Sequence, residues 1–237
     1  MRIAQIDVFQ VDLPYSGGTY LLAGGREYRT FDATIVRVRT DDGLEGWGES
    51  TPFGATYIAS HPLGVRAAIA QIAPALLGRD PRQVDRINDA MDSGLVGHAD
   101  AKAPLVGHSV TQCRRQRDMC LAAGLTMNVQ ETTGSDVAFA AVVHLGQTVP
   151  ERNLRCILEC REMVSTATVE DPIPVIDGRA SAPQAPGLGI TPRLDVLGDP
   201  VATYTARHSS SVRRAEPERS VDEVSGSGGE KGHVRTA

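Results

Sequence analysis

The sequence predicts an α+β fold built in two parts. Three observations predict it: an N-terminal run of alternating strands with a tight Asp-Gly turn, helical patterns directly behind it, and a later strand–helix–strand unit. Arg2 to Leu13 reads as the first strand. Ile6 and Val8 alternate on one face, then Phe9, Val11 and Leu13 on the other, and a bulge near Val8 and Phe9 is the simplest cause of that phase change. The glycine-rich PYSGGTYLLAGGREYRT follows, too loose for a strand core. Phe31 to Thr40 is the second strand, with Val36 and Val38 inward and Arg37 and Arg39 outward. Asp41-Asp42-Gly43 turns the chain, because Asp tolerates and Gly prefers positive φ. Leu44 to Glu49 completes an antiparallel three-stranded meander.

Helices come next. Leu63 to Leu76 places Ile69, Ile72 and Leu76 on one face. A second helix starts with Asp80 as cap and Pro81 in the first helical position, carries Val84, Ile87 and Met91 as its stripe, and stops at Gly94. A third begins near Ala99 and is interrupted by Pro104. Cys113 to Ala123 is a basic helix ending at Gly124. Leu125 to Gln130 is a short strand, Ser135 caps a helix over Asp136 to Leu145, and Arg155 to Leu158 is the returning strand. That spacing implies a parallel pair with a right-handed crossover. Residues 166–205 are Pro/Gly-rich with a hairpin signal at Ile176-Asp177-Gly178, and from Ala206 the polar composition predicts a disordered tail.

Composition narrows the function. Of 237 residues, 41% are hydrophobic and 22% charged, which describes a globular chain. A net charge of −5 supplies no basic surface for nucleic acid. No apolar run approaches the ~20 residues of a membrane helix, and the N-terminus lacks the apolar core of a secretory signal, so a cytoplasmic location is expected. Cys113, Cys120, Cys156 and Cys160 fit no zinc-ribbon or thioredoxin spacing and read as buried or half-buried thiols. His144 reads as a helix-packing residue, and His61 and His98 as surface residues. The chain carries 22 arginines but two lysines, Lys102 and Lys231. Chemistry that needs a lysine base therefore has two candidates.

The stretches IDVFQVDLPY, TDDGLEGWGES, LLGRDPRQVDRI, QETTGSDVAFAAVVHLG and APGLGITP together resemble the enolase superfamily, in its mandelate racemase and muconate lactonizing enzyme branch. YSGGTYLLAGGREYRTFDATIVRV and ESTPFGATYIASHPLG further resemble its cis-3-hydroxy-L-proline dehydratase group. The resemblance covers about residues 1–105 and 112–205. It implies an α+β capping domain, a (β/α)-barrel and a C-terminal segment returning to the cap. It also implies Mg²⁺, held by three carboxylates on consecutive strands, stabilising the enediolate formed when a proton α to a carboxylate is removed. Lysines on the second and sixth strands would form the acid/base pair.

A complete barrel takes ~250 residues, and about 60 lie between Leu105 and Ser165, room for two strand–helix units. The fold class is thus a capping domain plus an incomplete (β/α)-barrel remnant, about two of eight strands. The corresponding domains are 1–105 (cap), 106–165 (end of the sixth helix, seventh and eighth strands), 166–205 (return segment) and 206–237 (tail). Gly107-His108-Ser109-Val110 faintly resembles the family's second strand, with Thr111 where a lysine would stand. Neither lysine matches a catalytic position, so no catalytic residue and no metal ligand is assigned, and Mg²⁺ is expected to go unbound. The cap loops, Pro14 to Thr30 and Thr51 to Ser60, would lie over the substrate and carry Tyr15, Tyr20, Tyr28, Phe53 and Tyr57. These rings either box a pyrrolidinium by cation–π contact or pack the loops. Tyr20, Phe53 and Tyr57 are taken as substrate-binding candidates, with Glu131 and Glu159 at the two strand ends.

The expected function follows: an internally deleted, inactive member of a family that dehydrates or racemises proline derivatives. Family partners are small carboxylate substrates, with no nucleic acid or membrane. The alternatives are an oligomerisation or interaction module, as a homo-oligomer or with an intact paralogue, and an unstable relic or gene-model artefact whose open strand edges invite aggregation.

Overall fold

The computed structural model describes residues 1–54, 56–105 and 108–206. β1 (Ile3–Pro14) leads into a loop that is not irregular throughout, since β2 (Tyr20–Leu22) and β3 (Arg26–Tyr28) pair in it as a small antiparallel hairpin. β4 (Thr30–Thr40) and β5 (Glu45–Ser50) complete the meander around Gly43, whose φ of 87° only glycine adopts without strain. A last strand from the far end of the described chain, β8 (Ala202–Thr205), pairs antiparallel with β1, giving the order β5-β4-β1-β8.

The bulge in β1 lies elsewhere than its alternation suggested. The register with β4 slips between Ile3 and Gln5 and then runs unbroken through Val8↔Val36 and Phe9↔Ile35. The phase change at Val8 and Phe9 arises because both faces of β1 are covered, each along half its length. Ile3, Ile6, Val8, Val36 and Val38 pack under α1 (Pro62–Leu76) and α2 (Val84–Gly94). Phe9, Val11, Leu13, Phe31, Ala33 and Ile35 form a second core with Phe53, Val137, Val164 and Leu197. Slippage at Ala4 is what lets the odd-numbered Ile3 join the even-numbered Ile6 and Val8.

His61 caps α1 by accepting the Gly64 N–H at Nδ1, and Arg66 ties the helix to β4 through a two-pronged contact with Asp32 at 2.7 and 2.8 Å. Asp80 does not cap α2. It accepts the Arg82 N–H at 3.0 Å in a turn before the helix, which begins later, at Val84. α3 (Ala99–Lys102) is one turn long and stops short of Pro104. α4 (His108–Ala122) starts earlier than its basic residues implied, so His108 to Val110 are helical, and Gly107 lies outside the described residues.

β6 (Met127–Gln130), α5 (Asp136–Gly146) and β7 (Leu154–Leu158) form the βαβ unit with parallel strands, consistent with a partial barrel, and Ser135 caps α5 through Val137 N. Among the described residues β6 and β7 pair only with each other. After the 3₁₀ turn Arg161–Met163, the hairpin signal is confirmed by the Ile176–Arg179 bridge, with Asp177 and Gly178 at positive φ. α6 (Leu194–Leu197) precedes β8. The tail expected to be disordered lies, from residue 207 on, outside the described residues. Cys160 is buried and Cys113 and Cys120 half-buried, but Cys156 is exposed, contrary to expectation. No helix among the described residues is long and apolar enough to cross a membrane.

Candidate functional site

The two cap loops meet the C-terminal ends of the two parallel strands through backbone bonds. Tyr15 bridges Val164, the Ser16 N–H donates to Met163 O at 2.9 Å, and the Ser165 N–H donates to Pro14 O at 3.0 Å. The other loop is reached from the β6 side, where the buried Thr133 hydroxyl donates to Thr51 O at 3.1 Å. These bonds seat the aromatic cap loops on the segments that run on from Glu131 and Glu159, and that junction is the mouth.

The aromatics there pack on one another. Phe53 is 4% exposed and sits at the hub, with ring centroids 4.8 Å from Tyr20, 5.0 Å from Phe31, 5.1 Å from Tyr57 and 5.6 Å from Tyr28. Tyr15 abuts Tyr20 edge to face at 5.4 Å. Tyr57, 55% exposed, presents the most open ring. Mutual packing of this kind rigidifies a loop and accounts for the rings without a ligand between them.

The carboxylates are also engaged. Glu159 pairs with Arg161 Nε, and the Arg161 guanidinium lies 4.2 Å from the Phe139 ring and 3.4 Å from Asp136 Oδ1. Glu131 accepts the Cys160 N–H on Oε1 at 3.1 Å, while its buried Oε2 has no partner. Burial, then the charge of Glu49, pushes the Glu131 carboxyl up to about 8. Burial and the same two glutamates, 131 and 159, push the Cys160 thiol up to about 11. Glu131 and Glu49 share the wall of a cavity of about 420 Å³ between α4, β6 and α5.

Glu49 escaped the sequence reading. It is the last but one residue of β5, opposite Ile35, on the face that carries Phe9 and Trp47, so the alternation of β5 already put a carboxylate into an apolar face. There it docks on the start of α5. Oε1 accepts the Thr51 hydroxyl and the Ser135 N–H, and Oε2 accepts the Ser135 hydroxyl and the Ala138 N–H, at 2.6 to 3.0 Å. Burial raises its carboxyl above the usual range despite these donors.

Mg²⁺ needs near-octahedral oxygen ligation and keeps several waters. Among the described residues no group of three or more His, Cys, Asp or Glu side chains could hold a metal ion. Glu159 is neutralised by Arg161, both Glu49 oxygens are saturated by donors, and Glu131 offers one bare oxygen on a carboxyl that keeps its proton to about 8. The residues present do not fit the ion.

Comparison with known proteins agrees on the architecture. A family described as enolase C-terminal domain-like matches residues 61–196. A cis-3-hydroxy-L-proline dehydratase of Roseibium aggregatum is 46% identical over 105 residues, which is 44% of this chain but 29% of that protein, so the match spans less than a third of the relative's length. A solved mandelate racemase/muconate lactonizing enzyme of Aspergillus oryzae superimposes with a TM-score of 0.77 at 36% identity, over 86% of this chain and 99% of that one. Another, from Roseovarius nubinhibens ISM and complexed with magnesium, gives 0.80 at 29% identity, over 86% and 100%.

Proposed function

The chain belongs to the enolase C-terminal domain-like family, in the mandelate racemase/muconate lactonizing branch of the enolase superfamily, and from that premise we propose that it is an internally shortened, non-catalytic member. Its parts are a cap over 1–105, a barrel remnant over 106–165, a return segment over 166–205 and a tail. The ancestral substrate would be a proline-derived carboxylate, the class named in the dehydratase relative, handled in the cytoplasm.

One observation carries this reading: two of the three carboxyls at the mouth are already committed to partners inside the protein, Glu159 to Arg161 and Glu49 to four donors, and the third, Glu131, keeps its proton to about 8. Lys102 agrees with it. Lys102 is 2% exposed with Nζ 2.6 Å from Asp92 Oδ1, in the helical layer of the cap, and Lys231 lies outside the described residues. Removal of a proton α to a carboxylate needs a base near the reacting carbon and charge stabilisation at the enediolate. Among the described residues the mouth offers a bare carboxyl oxygen only on Glu131, which keeps its proton to about 8, and no group that could hold a metal ion beside the enediolate. Tyr20, Phe53, Tyr57, Glu131 and Glu159 then persist as loop-packing and strand-end residues of an inherited site.

The test is turnover. Purified chain with Mg²⁺ and a panel of hydroxyprolines and proline isomers should dehydrate or racemise none of them above a no-enzyme control. Turnover above that control overturns the proposal. A second reading, as an interaction module for an intact relative, is favoured by the two-stranded parallel sheet, whose outer edges find no strand among the described residues. Co-purification with a full-length relative would support it, and a clean monomer would count against it.

A further inference from the structure

Two acidic side chains from different parts of the fold face each other across one glycine. Gly134 lies in the turn between β6 and α5, where a Cβ would stand 3.2 Å from Glu131 Oε2 and 3.4 Å from Glu49 Oε1. The two oxygens therefore lie no more than about 6.6 Å apart, across backbone where the Ala138 Cβ, 2.6 Å from that position, leaves no room for a side chain. Glu49 comes from the antiparallel sheet and Glu131 from the end of β6. Their hydrogen bonding is unequal. Two backbone N–H groups, Ser135 and Ala138, which can only donate, point at Glu49, whereas one, Cys160, reaches Glu131 and leaves Oε2 bare.

We propose that Glu49 and Glu131 form a pH-sensitive latch between the cap sheet and the βαβ unit, closed while one proton on Glu131 keeps the pair singly charged and released when that proton leaves. The donor asymmetry puts the single negative charge on Glu49, where it also faces the N-terminal end of α5, and the proton on Glu131. The other charged and titratable groups around the pair are accounted for. Arg161 and Glu159, beyond β7, pair with each other, and Asp136 of α5 takes the Thr168 N–H and Arg161. Arg117 of α4 is held by Asp118 and Thr148, and Cys113, Cys120 and Cys160 carry thiols. Among the described residues no cation pairs with Glu131 through a hydrogen bond or ion pair, so its ionisation sets two carboxylates against each other at the joint.

The sign is fixed by linkage. Free glutamate ionises near 4.5, whereas Glu131 in the fold keeps its proton to about 8. Between those values the closed form binds the extra proton, so opening becomes easier as pH rises and levels off above about 8. The inference holds whether or not the chain is catalytic.

Amide hydrogen exchange of the full chain, corrected for intrinsic rates, reads the latch at residues 135–138. The opening equilibrium there should rise about tenfold per pH unit inside the window, and E131Q should flatten that dependence. The infrared carbonyl stretch of a carboxylic acid should be present at neutral pH, vanish above about 8, and be missing in E131Q. In E49Q the band should persist at low pH and be lost at a lower pH than in the parent. The proposal is overturned by an unchanged pH dependence in E131Q, by absence of the acid band in the parent at neutral pH, or by loss of the band in E49Q instead. If E131Q does not fold, the infrared titrations of the parent and E49Q decide.

Discussion

At the scale of single residues, Arg37 shows how much a polar side chain on a strand can be asked to do. Alternation marks it as outward, yet the outer face is not water. Its guanidinium lies 5.7 Å from the Phe9 ring and 5.5 Å from Trp47, and donates to the buried Asp7 Oδ2 at 2.9 Å. Asp7 also accepts from Gln5 Nε2 at 2.6 Å and from the Thr203 hydroxyl of β8 at 2.8 Å. Burial acts to raise the Asp7 carboxyl, but Gln5, Thr203 and Arg37 outweigh it and hold the group below its ordinary 3.8. A depressed carboxyl contributes stability above its unfolded pKa and loses it as pH falls through the folded value. Urea denaturation should therefore show R37A less stable at neutral pH by about 3 kcal/mol, the lower end for breaking a buried ion pair. The variant should also show a shallower loss of stability below about pH 4 than the parent. Equal acid sensitivity would mean that Arg37 is not what depresses Asp7.

At the scale of elements, the packing joints matter more than the propensities. Gly48 of β5 passes so close to the chain after α3 that a Cβ would stand 2.4 Å from Pro104 O, which is backbone and cannot swing aside. Thermal unfolding of G48A should reveal a loss of about 1–3 kcal/mol, the usual cost of overpacking, whereas G46A on the same strand meets open space and should be nearly neutral. Ser135 is a second joint. It caps α5 by accepting Val137 N–H, donates to Glu49, and accepts the Thr168 hydroxyl. S135A should cost about 2 kcal/mol, at the top of the range for a lost cap, because a buried carboxylate loses a donor with it.

Most elements were legible in the sequence because each signal was local: the Asp42-Gly43 turn, Ser135 as cap, Gly94 and Gly124 as stops. The exceptions depend on distant chain. Asp80 looked like a cap because Pro81 followed it, but its carboxylate is taken by Arg82. The β1 phase change looked like a bulge because a sequence does not show that two cores lie on opposite faces of one strand. Glu49 went unseen for the same reason, since three of its four donors, on Ser135 and Ala138, lie more than eighty positions away.

At the scale of the whole molecule, the cap and the parallel pair retain the meeting of loops and strand ends that a barrel mouth would have, but Glu159 and Glu49 there are held by protein donors and burial keeps Glu131 protonated to about 8. Glu131 and Glu159 could be placed at strand ends from their positions after apolar runs. That Arg161 would neutralise one and burial the other could not, because both effects require the tertiary contacts of the 3₁₀ turn and α5. The central claim, that this member of the enolase superfamily does not abstract an α-proton, is tested most directly by isotope exchange, which needs the first chemical step alone. NMR of cis-3-hydroxy-L-proline and L-proline in D₂O with Mg²⁺ and stoichiometric protein should show no deuterium entering the α position beyond the protein-free control. Protein-dependent α-deuteration would contradict it.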